Sequence, residues 1–424
     1  MKAVLLRNGL LIDGTGKDAQ AGMDVLIEGH QITSIGTHLS LPVHYDPADV
    51  DVIELDGKTI MPGMTEAHTH FTWQNSLYIQ DIDFKPLEET MLGCYLNAQT
   101  MIKSGFTSCV SAAARGRVDI ALRDAINQGL IVGPRMLANG AEISATGSFV
   151  DLHPNHVHVS GLSIFADGED AVRRTVRSLL KEGADLVKLN VSGESLTPHA
   201  RSEMTLYTLK EVRAAVEEAH ARGKRVYTHA RSSDSVKICV EAGVDIIGHA
   251  DFIDDEAFEM LVEHKNRLFV VPALNWLVST LEHGAQYFGQ EAIDATGYKE
   301  GLEIALSNMN RLYKAGVRIL PGGDYGFKWC PHGGYARDLE HFVKLVGMTP
   351  MDAIVSATKY GGQVMLMEDK IGTIEAGKLA DILVVDGNPL DNISILQDHD
   401  KLHVVMKDGA YIVNKLPIRQ VQGA

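Results

Sequence analysis

From Asp167 onward one pattern of apolar and polar positions recurs: an amphipathic stretch, a glycine, then a short β-branched run that ends in a polar side chain. Val172, Val176, Leu179 and Leu180 fall on one helix face, Gly183 stops the helix, and Asp185 to Val191 follows as a strand carrying Lys188. In the next unit Thr208 and Glu211 make a capping box and Leu209, Val212 and Val216 the stripe; Gly223 ends the helix and Arg225 to Ala230 carries His229. Later units stop at Gly243 before Asp245 to His249, near Asn266 before Leu268 to Ala273, and at Gly316 before Val317 to Asp324. Thr59 to His70, Thr107 to Ala112 and Arg135 to Ile143 supply the earlier strands. Eight strands separated by helices, most of them apolar enough to be buried on both faces, predict a parallel (β/α)8 TIM barrel.

The flanks carry a different pattern. Residues 1–58 hold short strands at Ala3 to Leu6, Asp24 to Glu28 and Gln31 to Gly36, with turns at Asp13-Gly14, Glu28-Gly29 and Asp56-Gly57. The same style resumes at Ile371, with strands at Ala380 to Val385 and His403 to Lys407. Neither flank can bury its own apolar face, so the two are expected to pair into one small β-sandwich, residues 1–58 with 371–424, around a barrel of residues 59–370. Arg419 to Ala424 should fray.

Composition narrows the partners. In the 424 residues aspartate and glutamate outnumber lysine and arginine by 55 to 39, a formal charge of −16 that repels phosphate backbones and anionic membranes. A small-molecule substrate and further copies of the same chain are the expected partners, without nucleic acid or membrane. Cys94, Cys109, Cys239 and Cys330 are too scattered for a disulfide framework and should be reduced. The apolar run at Met1 to Gly9 breaks too early for a signal peptide, and no stretch reaches the ~18 apolar residues of a membrane span, so a cytoplasmic protein is expected.

The candidate chemistry lies at the predicted strand ends. His68 and His70 are one residue apart, so in a strand both side chains face the same way, as two ligands of one metal must. Lys188, His229, His249 and Asp324 each close a later strand, and this order suggests a hydrolase with two divalent metal ions, most readily zinc. An ammonium cannot bridge two cations, whereas a lysine carboxylated by carbon dioxide presents two anionic oxygens; Lys188 is the candidate bridge, the alternative being a plain buried or substrate-binding lysine.

The series His68-x-His70, Lys188, His229, His249 and Asp324, set in Pro62-Gly63-Met64-Thr65-Glu66-Ala67-His68-Thr69-His70 and followed by Ile371-Gly372-Thr373-Ile374-Glu375-Ala376-Gly377-Lys378, resembles the amidohydrolase superfamily over essentially the whole chain. Within it the chain is similar to the prolidase-like and imidazolonepropionase-like branch, with a fainter likeness to carbamate and phenylurea hydrolases. The resemblance implies an α metal on His68, His70, Lys188 and Asp324 and a β metal on Lys188, His229 and His249. It also implies that a metal-bridging hydroxide attacks a polarised carbonyl while Asp324 carries the proton to the leaving nitrogen.

Substrate contacts are expected from Arg231, two residues beyond His229 on the same parity, from Asn190, and from Trp73, Tyr78, Trp276, Phe327 and Trp329 in loops above the barrel. His153, with His156 and His158, is expected on a lid. The expected reaction is cleavage of a C–N bond in a small, partly apolar amide, carbamate or urea. Rival readings are a dipeptidase with Arg231 on the free carboxylate, a cyclic-amide hydrolase, a deaminase, which the lysine argues against, and a metal-free assembly protein, which intact ligands argue against.

Overall fold

The computed structural model describes residues 3–41, 44–46, 49–159 and 161–420. Its chain divides into two compact units, Met1–Thr65 with Thr100–Ser108 and Met348–Ala424, and Glu66–Gln99 with Cys109–Gly347. The fold is mixed α/β.

In the first unit both flanks contribute to one nine-stranded sheet. Ala3–Leu11 pairs antiparallel with Gln20–Glu28 and parallel with Val50–Glu54 and Thr59–Pro62, and Thr59–Pro62 pairs antiparallel with Ile382–Val385. Alternation decides the faces: Val4 and Leu6 join one apolar cluster with Ile60 and Val384, whereas Ala3 and Leu5 join another with Leu26, Val50 and Val52. Arg419–Gln420, expected to fray, instead pairs antiparallel with Val50–Glu54, because that edge strand has backbone groups left to satisfy; residues 421–424 lie outside the described residues.

The first predicted barrel strand is broken. Thr59–Pro62 lies in the nine-stranded sheet and Met64–Thr69 begins a parallel sheet with Phe106–Ser111 and Arg135–Leu137. The switch falls at Gly63, where the backbone passes so close to Thr107 that an added Cβ would sit 2.3 Å from its Oγ1. Another parallel sheet runs Ser163–Phe165, Glu142–Ser144, Leu186–Asn190, Arg225–Ser232, Ile246–Phe252 and Phe269–Val271.

Among the described residues the two parallel sheets do not join as one closed ladder, and the reason is chemical. Between Arg135–Leu137 and Leu186–Asn190, side chains take over as acceptors: Asp185 accepts the Ala138 N–H at 3.0 Å and Asn139 Oδ1 accepts the Lys188 N–H at 2.8 Å. The buried Asp119 carboxylate in turn accepts the N–H groups of Asn139 and Gly140. That exchange splits the expected strand Arg135 to Ile143 in two. The expected strand Val317 to Asp324 makes only a single bridge, Ile319 to Val270, with another just beyond it, Tyr325 to Thr69.

The helix stops fall where the glycines stand. Gly183, Gly223, Gly243 and Gly316 have φ of 101°, 66°, 96° and 80°, the left-handed values that end a helix without a Cβ clash. Thr208 and Glu211 form both halves of a capping box on the helix Leu209–His220. The four cysteines are buried, and none is in a disulfide. No described helix is long and apolar enough to cross a membrane.

Candidate active site

Six of the expected groups converge in the second unit. Asp324 lies 3.0 Å from His70 Nε2 and 3.6 Å from His68 Nε2. The His68 ring centroid is 5.2 Å from those of His70 and His249, and His249 is 4.3 Å from His229. One ligand atom each of His68, His249 and Asp324 lies within 4.8 Å of the others, a group able to hold a metal ion. Lys188 Nζ stands 4.9 Å from the Tyr227 ring centroid, and Tyr227 hydroxyl meets His68 Nδ1 at 2.8 Å.

Burial sets the protonation states. It drives His68, His229 and His249 well below the usual imidazole range, so all three are neutral and free to ligate. Burial raises Asp324, but His68 and His70 outweigh it and hold that carboxyl below the ordinary carboxylate range. Burial also lowers Lys188, against the pull of Glu142 and Asp324.

The donor set fits a metal on a direct test. His249 is 0% exposed, yet among the described residues neither ring nitrogen has a hydrogen-bond partner. Leaving such groups unmade costs on the order of 1–3 kcal/mol each. Its φ of 73°, with 58° at Ala250 and 58° at Asp324, adds backbone strain at the same spot. Strained, desolvated and unpartnered imidazole is what a cation would relieve.

Supporting residues went unnoticed in the sequence. Glu66 accepts the N–H of His68 at 2.9 Å and of Gly323 at 3.0 Å, joining the first ligand strand to the Asp324 segment. It shares strand parity with both histidines, a signal that was there to read; Tyr227 similarly sits two before His229. Asp119 and Asn139 left no local trace.

Above the six groups opens a cavity of about 610 Å³, large enough for a drug-sized molecule. Trp73, Tyr78, Trp276, Phe327, Trp329 and Asn190 line it as expected, joined by Phe149 and Phe288. Trp73 stacks on His70 at 3.6 Å, 3° from parallel. Trp276 stands not on a loop but on the helix Leu274–His283. Asn190 Oδ1 has no partner among the described residues.

Two expected contacts are elsewhere. Arg231 is 1% exposed and sits between Asp251 and Glu194, the latter at 2.7 Å, rather than in the cavity wall. The register shift beside it adds its extra residue to the partner strand, between His249 and Phe252, so what keeps Arg231 from the cavity is its pairing with these two carboxylates. His153 bonds Asp83 at 3.0 Å and lines a separate small pocket, where the Asp83 carboxylate also accepts the Leu162 N–H.

A buried cluster of neutral imidazoles and a carboxylate under an apolar cavity is a candidate metal site. The family model described as the amidohydrolase family matches residues 59–412, and the chain belongs to that family: it is a hydrolytic enzyme acting on carbon–nitrogen bonds. An ochratoxinase from Aspergillus niger is 26% identical over 96% of this chain and 86% of its own. A solved Xaa-Pro dipeptidase with methionine bound in its active site is 30% identical, with a TM-score of 0.86 over 97% of this chain and 99% of its own. A solved prolidase complexed with N-methylphosphonate-L-proline is 26% identical, with a TM-score of 0.87 over 97% and 100%.

Proposed function

We propose that the chain hydrolyses the C–N bond of a small, partly apolar amide, carbamate or urea, with His68, His70, Lys188, His229, His249 and Asp324 holding two divalent metal ions, zinc by donor chemistry. The observation that carries this is His249, whose two buried ring nitrogens lack partners beside a convergent set of neutral imidazoles. When bound, such ions polarise a carbonyl and lower the pKa of water. Lys188 would bridge them as a carbamate: its neutral amine, the form that burial favours, would add to carbon dioxide with release of one proton. Asp324 takes the proton of the attacking water and passes it to the leaving nitrogen. Trp73, Trp276 and Trp329 exclude solvent and hold the apolar part of the substrate.

A (β/α)8 barrel is the architecture this reading requires, residues 59–370 with a smaller β domain of 1–58 and 371–424. Its support is the single bonds that link the two parallel sheets, Ala67 N–H to Pro321 oxygen at 2.9 Å, Leu320 N–H to Val270 oxygen at 3.0 Å and Asp185 N–H to Ala138 oxygen at 2.7 Å.

Metal analysis of purified protein tests the proposal, with about two equivalents of divalent ion per chain expected. Turnover of a panel of anilides, carbamates, ureas and acylated amino acids should vanish in Lys188→Ala. A metal-free protein inert to the panel after loading with zinc, cobalt or manganese would overturn it.

A further inference from the structure

The loop after the Lys188 strand is a locked hairpin. Ser192 bridges Thr205 antiparallel, the Gly193 N–H donates to Met204 oxygen at 3.0 Å, and the Glu194 N–H donates to Ala200 oxygen at 2.8 Å. Ser195 and Ser202 hydroxyls meet at 2.7 Å, and Thr197 hydroxyl donates to Phe149 oxygen at 3.2 Å. At Gly193 an added Cβ would lie 2.2 Å from Ala200 oxygen, so the two limbs approach this closely only over glycine.

Its base is tied into the interior. Glu194 pairs with Arg231 and accepts the Tyr298 hydroxyl, while Asp251 holds the other side of the guanidinium. Arg231 therefore has two carboxylates for one charge, and a substrate anion would have to displace one of them from a dry site. Among the described residues lining the cavity, the lysine or arginine outside the proposed metal site is on the hairpin itself. Arg201 lines the cavity, its side chain 38% exposed, and its contact with Glu203 is loose at 3.7 Å, to a carboxylate itself 62% exposed. Such a pair is worth little in water and yields readily to a better-placed anion.

We propose that Arg201, presented by this hairpin, binds a substrate carboxylate, and that the natural substrates are acylated amino acids with a free α-carboxylate. The inference rests on the hydrolase reading above and names its substrate class. The acyl part occupies the aromatic wall of Trp73, Phe288 and Trp329. Water adds to the acyl carbon, the C–N bond breaks, and the nitrogen leaves as an amine carrying the proton, giving a carboxylic acid and a free amino acid. A guanidinium offers two parallel N–H donors to that carboxylate, which a lysine cannot match.

The test compares N-acetylphenylalanine with its carboxamide on the zinc-loaded full chain. The acid should be the better substrate, and Arg201→Ala should shrink the acid-to-amide ratio of kcat/KM by about 10- to 100-fold, chiefly through KM. Arg201→Lys should recover part of that ratio. Glu203→Gln, which frees the guanidinium, should lower KM for the acid two- to threefold by the small worth of an exposed pair. An equal loss on both substrates in a variant that melts normally, or a wild type indifferent to the carboxylate, would overturn the inference. Turnover of ureas or carbamates alone would also overturn it while leaving the hydrolase reading standing.

Discussion

His249 sits in a conformation that a β-branched or bulky side chain avoids, with φ at 73° and two buried, unpartnered ring nitrogens. On the proposed metal reading such a residue destabilises the metal-free fold and is offset only when its nitrogen is bound, so stability and activity should oppose one another here. Asparagine is among the non-glycine side chains that adopt left-handed backbone most readily. We expect His249→Asn to raise the melting temperature of chelator-treated protein, by an amount corresponding to about 1 kcal/mol, and to abolish turnover. A variant that melts lower than wild type in chelator would show that the imidazole is satisfied without metal. Tyr227 acts through its neighbour: its hydroxyl fixes the His68 ring at 2.8 Å. Tyr227→Phe should weaken metal affinity by about 10- to 100-fold, read by competition with a chromophoric chelator. Loss of folding instead, seen by circular dichroism, would contradict that role.

Elements end where local chemistry dictates, and one end can be titrated. Asp254 caps the helix Asp255–Glu263 by accepting the Ala257 N–H at 2.9 Å, and it pairs with Lys237 at 2.7 Å. The backbone N–H of Ala257 and then Lys237 hold its carboxyl down to about 2, from an ordinary 3.8. A depressed carboxyl stabilises the fold above its unfolded pKa and loses that contribution as pH falls through its folded one, here between about 3.8 and about 2. Asp254→Ala should therefore cost about 1 kcal/mol at neutral pH, with the gap from wild type closing toward pH 2 in chemical melts. A constant gap would mean that packing, not the cap, was lost. The same local signals explain what could be read from sequence. Gly183, Gly223, Gly243 and Gly316 each announced a helix end because left-handed backbone is a property of one residue. The breaks at Gly63 and at 138–141 were invisible, since they depend on Thr107, Asp119, Asn139 and Asp185, side chains brought close only by folding.

At the scale of the molecule, the convergent groups were legible because His68 and His70 alternate along one run, Lys188, His229 and His249 each lie on a later strand, and Asp324 follows in order after them, so that alternation and order suffice. Their supports were not, because Glu66, Tyr227 and the Glu194–Arg231–Asp251 cluster are pairings between distant segments, and two carboxylates from other segments take up the Arg231 guanidinium. What the chain assembles is a candidate metal site formed only on folding, so on the proposed reading metal and fold stabilise each other. An ion bound at a thousandfold excess over its dissociation constant adds about 4 kcal/mol to the native state. Chelation should then lower the melting temperature by several degrees, and readdition of zinc should restore it. The proposed bridge adds a second requirement, since Lys188 would take that form only after uptake of carbon dioxide. Chelated protein refilled with zinc in carbon dioxide-free buffer should therefore recover activity slowly or partially, and bicarbonate should complete the recovery. Lys188→Glu, which supplies a permanent carboxylate at that strand end, should lose the bicarbonate response while still responding to metal in thermal melts. Equal recovery of wild type with and without bicarbonate would leave Lys188 as an ordinary buried amine, and the bridge would have to come from another residue.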